Sequence, residues 1–234
     1  MKLLALDSAT DYCSVALWQD GAISTREAHA ERGHGVQLLT MIDALLGDAG
    51  IALTGLAAIA FGRGPGAFTG LRLAASVTQG LAFAAGLPVI PVSDLRALAQ
   101  QLLVPPHESA RVLVCHDARM GEVYWAGFKS IDGYACADTP ERVAAPGDLI
   151  DAASAWIGGQ AACGGGSGFA VYPSLSALTA RLAPVRADLQ PRAREIALLA
   201  AHDGLEAAVP PERALPVYVR DNVAVVPASP RAGA

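Results

Sequence analysis

One order of elements occurs twice in this chain, and that repetition constrains the fold more than any single motif. Residues 3–7 read as a short buried strand ending in Asp7. Residues 12–18 alternate as a strand should, Asp20-Gly21 is a hairpin signal, and a third strand is expected over residues 23–28. After Pro105-Pro106, the best candidate linker, the order begins again. Residues 111–115 form a strand leading to Asp117, a turn follows, residues 122–129 form a second strand, and a third is centred on Tyr134. Between these openings, helical spacing is expected over 35–47, a strand over 56–61, a helix over 70–85 that stops at Gly86 with Pro88 beyond, and a strand over 89–92. Ser93 is placed to cap a helix reaching residue 103, and another helix should follow Pro146. The rest of the second half, with Gly164-Gly165-Gly166 and several prolines, is less regular. The expected class is α/β, with mixed sheets covered by helices.

Composition removes several functions. No apolar run approaches the roughly 20 residues that spanning a bilayer needs. Asp7 ends the opening apolar run too early for a signal peptide, so a first core strand in a cytoplasmic protein is expected. Cys13, Cys115, Cys136 and Cys163 form no CxxC pair, which disfavours a zinc ribbon or a disulfide framework. Net charge is −5 with no run of lysine or arginine, so any nucleic acid is expected to be held by a partner. His29 and His34 stand five apart with no HExxH, no GxSxG elbow surrounds Ser167, and no metal site or hydrolase triad is expected.

Two loops carry chemistry. Asp7-Ser8-Ala9-Thr10 lies between the first two strands and resembles the Asp-x-Gly-x-Thr/Ser turn of actin-like ATPases and sugar kinases. In that turn, backbone N–H groups meet phosphate. Ala9 replaces the glycine, and its Cβ hinders close approach. The alternative is a turn with no ligand. Gly64-Pro65-Gly66-Ala67-Phe68-Thr69-Gly70-Leu71-Arg72 follows a strand and opens a helix, with Thr69 expected as N-cap. Free N–H groups there suit an anion, yet the loop is no Walker motif and no lysine follows. Close packing against another surface is the equal alternative.

The two helices of the first half carry more apolar surface than one sheet can cover. Leu38, Leu39, Met41, Ile42, Leu45 and Leu46 span an arc of about 160°. The second helix, from Leu71 through Leu73, Val77 and Leu81 to Ala84, spans about 200°. A helix on a sheet needs about 100°. The surplus must meet either neighbouring helices or a second subunit.

These stretches, with Asp117-Ala118-Arg119-Met120-Gly121-Glu122-Val123-Tyr124 and Pro216-Val217-Tyr218-Val219-Arg220-Asp221, resemble the TsaB (YeaZ) family of the TsaD/actin-like superfamily. The resemblance implies two actin-like (ASKHA, RNase H-like) subdomains, residues 1–104 and 105–222, with a flexible tail over 223–234. It implies a non-catalytic role in bacterial synthesis of N6-threonylcarbamoyladenosine in tRNA. The catalytic subunit would be the paralogue TsaD, with TsaE as ATPase partner, TsaC as supplier of threonylcarbamoyl-adenylate, and tRNA met only through the complex. TsaD holds its metal with a histidine pair; this chain has Ser93-Asp94-Leu95-Arg96-Ala97-Leu98 there, without histidine, so no metal or other cofactor is expected. The resemblance further implies a heterodimer with TsaD, or a homodimer in its absence, through helices 35–46 and 70–85. Leu38, Met41, Ile42, Leu45, Leu73, Val77 and Leu81 are the residues expected on that face. Asp7, Ser8, Thr10, Gly64, Gly66, Thr69 and Gly70 would form a vestigial phosphate- or nucleotide-binding surface. An actin-like small-molecule kinase or ATPase using Asp117, and a glycoprotease-like peptidase, are the enzyme alternatives.

Overall fold

The computed structural model describes residues 1–29, 34–103 and 111–220. The first sheet is built from β1 (Lys2–Asp7), β2 (Tyr12–Gln19), β3 (Ala22–His29), β4 (Ala58–Gly62) and β5 (Val89–Val92), in the order β3-β2-β1-β4-β5. β1 runs antiparallel to β2 and parallel to β4. The second sheet contains β6 (Arg111–Arg119), β7 (Glu122–Ile131), β8 (Tyr134–Ala137), β10 (Cys163–Gly165) and β11 (Val185–Arg186), with β9 (Arg142–Ala144) paired to β7. Read from β8, its order is β8-β7-β6-β10-β11, which repeats the first sheet strand for strand. The duplicated opening in the sequence is thus a duplicated sheet, and the fold is two actin-like halves.

Helices separate and cover the sheets. α1 (His34–Ala49) and α2 (Phe68–Ala85) lie on the outer face of the first sheet. α3 (Asp94–Leu102) and α7 (Ala193–Asp203) fill the space between the sheets. α4 (Pro146–Ile157) and the one-turn helices α5 (Gly168–Val171) and α6 (Ser176–Thr179) cover the second sheet's far side. This layering explains why β1 is apolar at every position from Leu3 to Leu6 rather than at alternate ones. Leu4 and Leu6 face α1 and α2, whereas Leu3 and Ala5 face α7, so both faces are buried. β6 does the same: Val112 and Val114 meet α3, and Leu113 and Cys115 meet the α4 side.

Several expectations shift. The strand expected over 56–61 is Ala58–Gly62, because Leu53–Gly55 form a 3-10 turn before it. Ser93 caps α3 as expected, accepting the Arg96 N–H at 3.1 Å. Thr69 does not cap α2: the N-cap is Ala67, without a side-chain bond, and Thr69 is exposed in the first turn. Ala67 N–H is taken by Ala9 O at 2.7 Å, which ties the start of α2 to the β1–β2 turn. Sequence patterning did not assign α7, which comes from the expected second subdomain yet packs on the first sheet. The Pro105-Pro106 linker and the 223–234 tail lie outside the described residues. No helix among the described residues is long and apolar enough to cross a membrane.

The helical surplus is largely absorbed by the chain itself. Leu38, Met41, Ile42 and Leu45 are core residues against β1, β2 and β4, not surface ones. Each such burial contributes about 2 kcal/mol, which a sheet-facing helix cannot forgo. Leu73, Val77 and Leu81 of α2 are half-buried. The exposed large apolar residues of the pair are Val36, Leu39, Phe68 and Phe83, the last 81% accessible.

Candidate functional site

A cavity of about 420 Å³ lies between the two halves, where the β1–β2 turn faces the β6–β7 turn. Thr10 and Gly66 line it, as the sequence suggested, but Asp7, Ser8, Gly64, Thr69 and Gly70 do not. Their places follow from packing. Ser8 Oγ donates to Gly70 O at 2.9 Å, and a Cβ on Gly70 would overlap the Ser8 carbonyl. A Cβ on Gly66 would lie 2.8 Å from Ala9 Cβ. The glycines therefore serve close packing of the loop onto the β1–β2 turn, the second of the two readings open from the sequence. Gly64 has φ +108° and carries the Val217 carbonyl against its Cα, so a side chain there is excluded twice over.

Asp7 points away from the cavity. It is wholly buried, its Oδ1 accepts the Ala9 N–H at 3.1 Å, and it approaches the equally buried Asp94, at the start of α3, across Gly62. Burial pushes the Asp7 carboxyl up to about 6, against the lowering effect of its hydrogen bonds. Asp94 is also raised, by burial first and by the neighbouring Asp7 charge second.

The second half supplies side chains that sequence reasoning missed. His116 and Ser167 line the cavity, with Ser167 Oγ 3.2 Å from His116 Nδ1 and accepting the Asp117 N–H at 3.1 Å. Burial drives the imidazole down to about 4, so it is neutral near pH 7 and shares one hydrogen bond with the Ser167 hydroxyl through Nδ1. Asp117, the carboxylate that the kinase alternative would use, is engaged within its own turn. It accepts from Tyr172 Oη at 2.8 Å and from Arg119 N at 2.9 Å. That bond and burial hold the Tyr172 phenol up to about 12, burial being the larger cause. Asp117 therefore does not back the His116–Ser167 pair as a triad acid would. The only advance signal for Ser167 was its place in the glycine run, and for His116 its place just before Asp117.

The chain's late segment forms the cavity's rim. Val217 N donates to Arg63 O at 2.7 Å. The Tyr218 ring rests 5.5 Å from Phe68, and its hydroxyl accepts from Arg72 Nε at 3.1 Å while the Arg72 guanidinium sits 3.8 Å over Phe68. Arg220 reaches the other half, pairing with Glu122 at 2.5 Å and donating to Ala118 O at 3.1 Å. One extended segment thus ties both halves across the cleft mouth. Among the described residues there is no cluster of three metal-ligating side chains.

Two sheets of one topology, a cleft between them and a glycine loop packed on the β1–β2 turn define an actin-like two-domain protein. The family model described as TsaD, tRNA N6-adenosine threonylcarbamoyltransferase, matches residues 26–228. The chain belongs to this family, on its TsaB (YeaZ) branch. It is 38% identical over 232 residues to the tRNA threonylcarbamoyladenosine biosynthesis protein TsaB of Escherichia coli K12, covering 96% of each chain. It is 48% identical over 126 residues to the Haemophilus influenzae protein of that name, covering 54% of this chain and 53% of that one. A solved structure of YeaZ from Pseudomonas aeruginosa superposes with a TM-score of 0.78 at 39% identity, covering 93% of this chain and 99% of that one.

Proposed function

We propose that this protein is the non-catalytic partner subunit of a cytoplasmic complex that makes N6-threonylcarbamoyladenosine in tRNA, scaffolding a TsaD-type catalytic paralogue together with TsaE. The observation that carries this reading is the state of Asp7. A phosphate-handling turn needs its carboxylate and backbone open to the cleft, whereas here the carboxyl is buried against Asp94 and Ala9 fills the space beside Gly66. α3 and α7 between the sheets, and Arg220 across the cleft mouth, also oppose the hinge closure that actin-like kinases use. The net charge of −5 suits a subunit that meets tRNA only through its partners.

The partner face is assigned to α1 and α2. The two helices carry the half-buried Leu73, Val77 and Leu81 and the exposed Val36, Leu39 and Phe83. Apolar side chains on two neighbouring helices are what a helix-on-helix interface requires. The same face would pair two copies when the paralogue is absent. Light scattering of this chain, alone and mixed with the TsaD of its own organism, tests the assignment. The expected result is a homodimer that exchanges into a heterodimer. A persistent monomer that ignores TsaD, or tight binding of magnesium ATP to this chain alone, would overturn it.

A further inference from the structure

Two wholly buried carboxyls lie beneath the glycine loop. Asp7 ends β1 and Asp94 begins α3, 87 positions apart by their numbers (94 minus 7), and they meet across Gly62 of β4. A Cβ on Gly62 would fall inside contact distance of an oxygen of each, so only glycine lets the two acids approach. One oxygen of each acid is served by backbone: Asp7 Oδ1 by Ala9 N–H, and Asp94 Oδ2 by Gly64 N–H. The other oxygens, Asp7 Oδ2 and Asp94 Oδ1, have no N–H or O–H donor. Two carboxylates are acceptors only and cannot hydrogen-bond to each other, so carboxyls brought this close, each with an unserved oxygen, are stable together only with a proton on one of them.

We infer that Asp7 and Asp94 form a single-proton carboxyl pair that clamps the glycine loop onto the β1–β2 turn, and that losing this proton loosens the clamp. Each acid holds one side of the junction. Asp7 fixes the Ala9 N–H, and Ala9 in turn receives Ala67 N–H; Asp94 fixes the Gly64 N–H, and its own N–H is taken by Gly64 O at 3.1 Å. With both acids ionised, two negative charges would share a site closed to water, and repulsion would part them.

The groups facing the pair do not replace the proton. Arg63, next to Gly62, lowers Asp94 only weakly, and its guanidinium is engaged by Glu141. The Cys13 thiol on β2 is held protonated, up to about 12, by burial and then by the Asp7 charge. On α7, Glu195 is paired with Arg194. The raised positions of both acids agree with the shared proton.

Linkage gives the sign. Unfolded aspartates lose their protons near pH 4, whereas the native pair keeps one well above that. The native state therefore binds the extra proton, and stability falls as pH rises. Asp94→Asn tests this, because its amide donates permanently to Asp7 while its oxygen still accepts the Gly64 N–H. Denaturation of wild type and variant is compared at each pH from 5 to 8, so that groups common to both, His116 included, cancel. The expected ratio of unfolding constants, wild type over variant, grows about tenfold per pH unit while the native pair keeps its proton. Parallel profiles would overturn the inference. Should the variant not fold, infrared spectra of the wild type at pH 7 decide it: a buried protonated-carboxyl stretch supports the pair, and its absence sinks it.

Discussion

Arg63 grips Glu141 with both guanidinium nitrogens, at 3.0 and 3.1 Å, joining the glycine loop of one half to the second half. Both side chains are largely shielded, at 25% and 15% accessibility. Arg63→Ala should cost about 2 kcal/mol in chemical denaturation, since it strands Glu141. Arg63→Lys should recover less than half of that, because an ammonium cannot reproduce the fork. Equal stabilities for Lys and Arg would mean the bidentate geometry is unimportant.

Gly70 admits no side chain. Its Cβ would overlap the Ser8 carbonyl oxygen, which is backbone and cannot rotate away. Gly70→Ala should lose about 3 kcal/mol, lowering Tm on the order of 10 °C. A thermal scan within 1 or 2 °C of wild type would show that the turn yields easily.

Buried and exposed apolar residues on α1 and α2 should separate stability from assembly. Leu38→Asp places a charge in the core and should cost about 4 kcal/mol. Phe83→Asp, at an exposed site, should leave Tm nearly unchanged yet weaken TsaD binding roughly thirtyfold. Unaltered co-elution of the Phe83 variant with TsaD would remove Phe83 from the interface.

His116 is buried and neutral, with its pKa down to about 4 against 6.5 when unfolded. The unfolded chain takes up a proton as pH falls through 6.5, and the native one does not until about 4. Stability contributed by the neutral ring is therefore fully present above 6.5 and lost on acidification, by up to about 3 kcal/mol at pH 4. His116→Gln should show a shallower acid-side loss than wild type. In NMR titration, the His116 ring resonances should stay still between pH 8 and 5.

The β6–β7 turn holds Arg119 and Met120 in left-handed backbone, at φ 63° and 56°. Met120 is 75% exposed, so its side chain returns little for the strain. Met120→Gly should raise stability by about 1 kcal/mol. A loss instead would mean that the Met120 sulfur, 3.5 Å from Arg220 Nη1, secures the turn.

The doubled sheet was legible because each opening carries its own strand periodicity and hairpin signal, notably Asp20-Gly21. The glycine loop was legible as a loop, but not its purpose, since only the folded chain shows Ser8 and Ala9 occupying the space the glycines leave. Asp94 begins a helix, where an acid is ordinary, and the residue it meets, Asp7, ends a distant strand, with no spacing rule to link them. The helix faces misled for a related reason. Periodicity measures the width of an apolar stripe and not which edge meets the sheet, so Leu38 and Ile42 were assigned outward while Val36 and Phe83 passed unnoticed.

The chain's final third is needed to finish its first. α7 covers the inner face of β1 and β2, and Ala214 enters the core beneath α1 and α2. During synthesis, then, the first sheet emerges from the ribosome with Leu3, Ala5 and Ala16 bare, and stays so until residues 193–214 follow. Without residues 193–214 the amino-terminal half lacks the helix that buries one face of its sheet. A chain stopped at the linker would present a naked apolar sheet to the cell's proteases and chaperones, which makes completion of translation the last step of building the first domain.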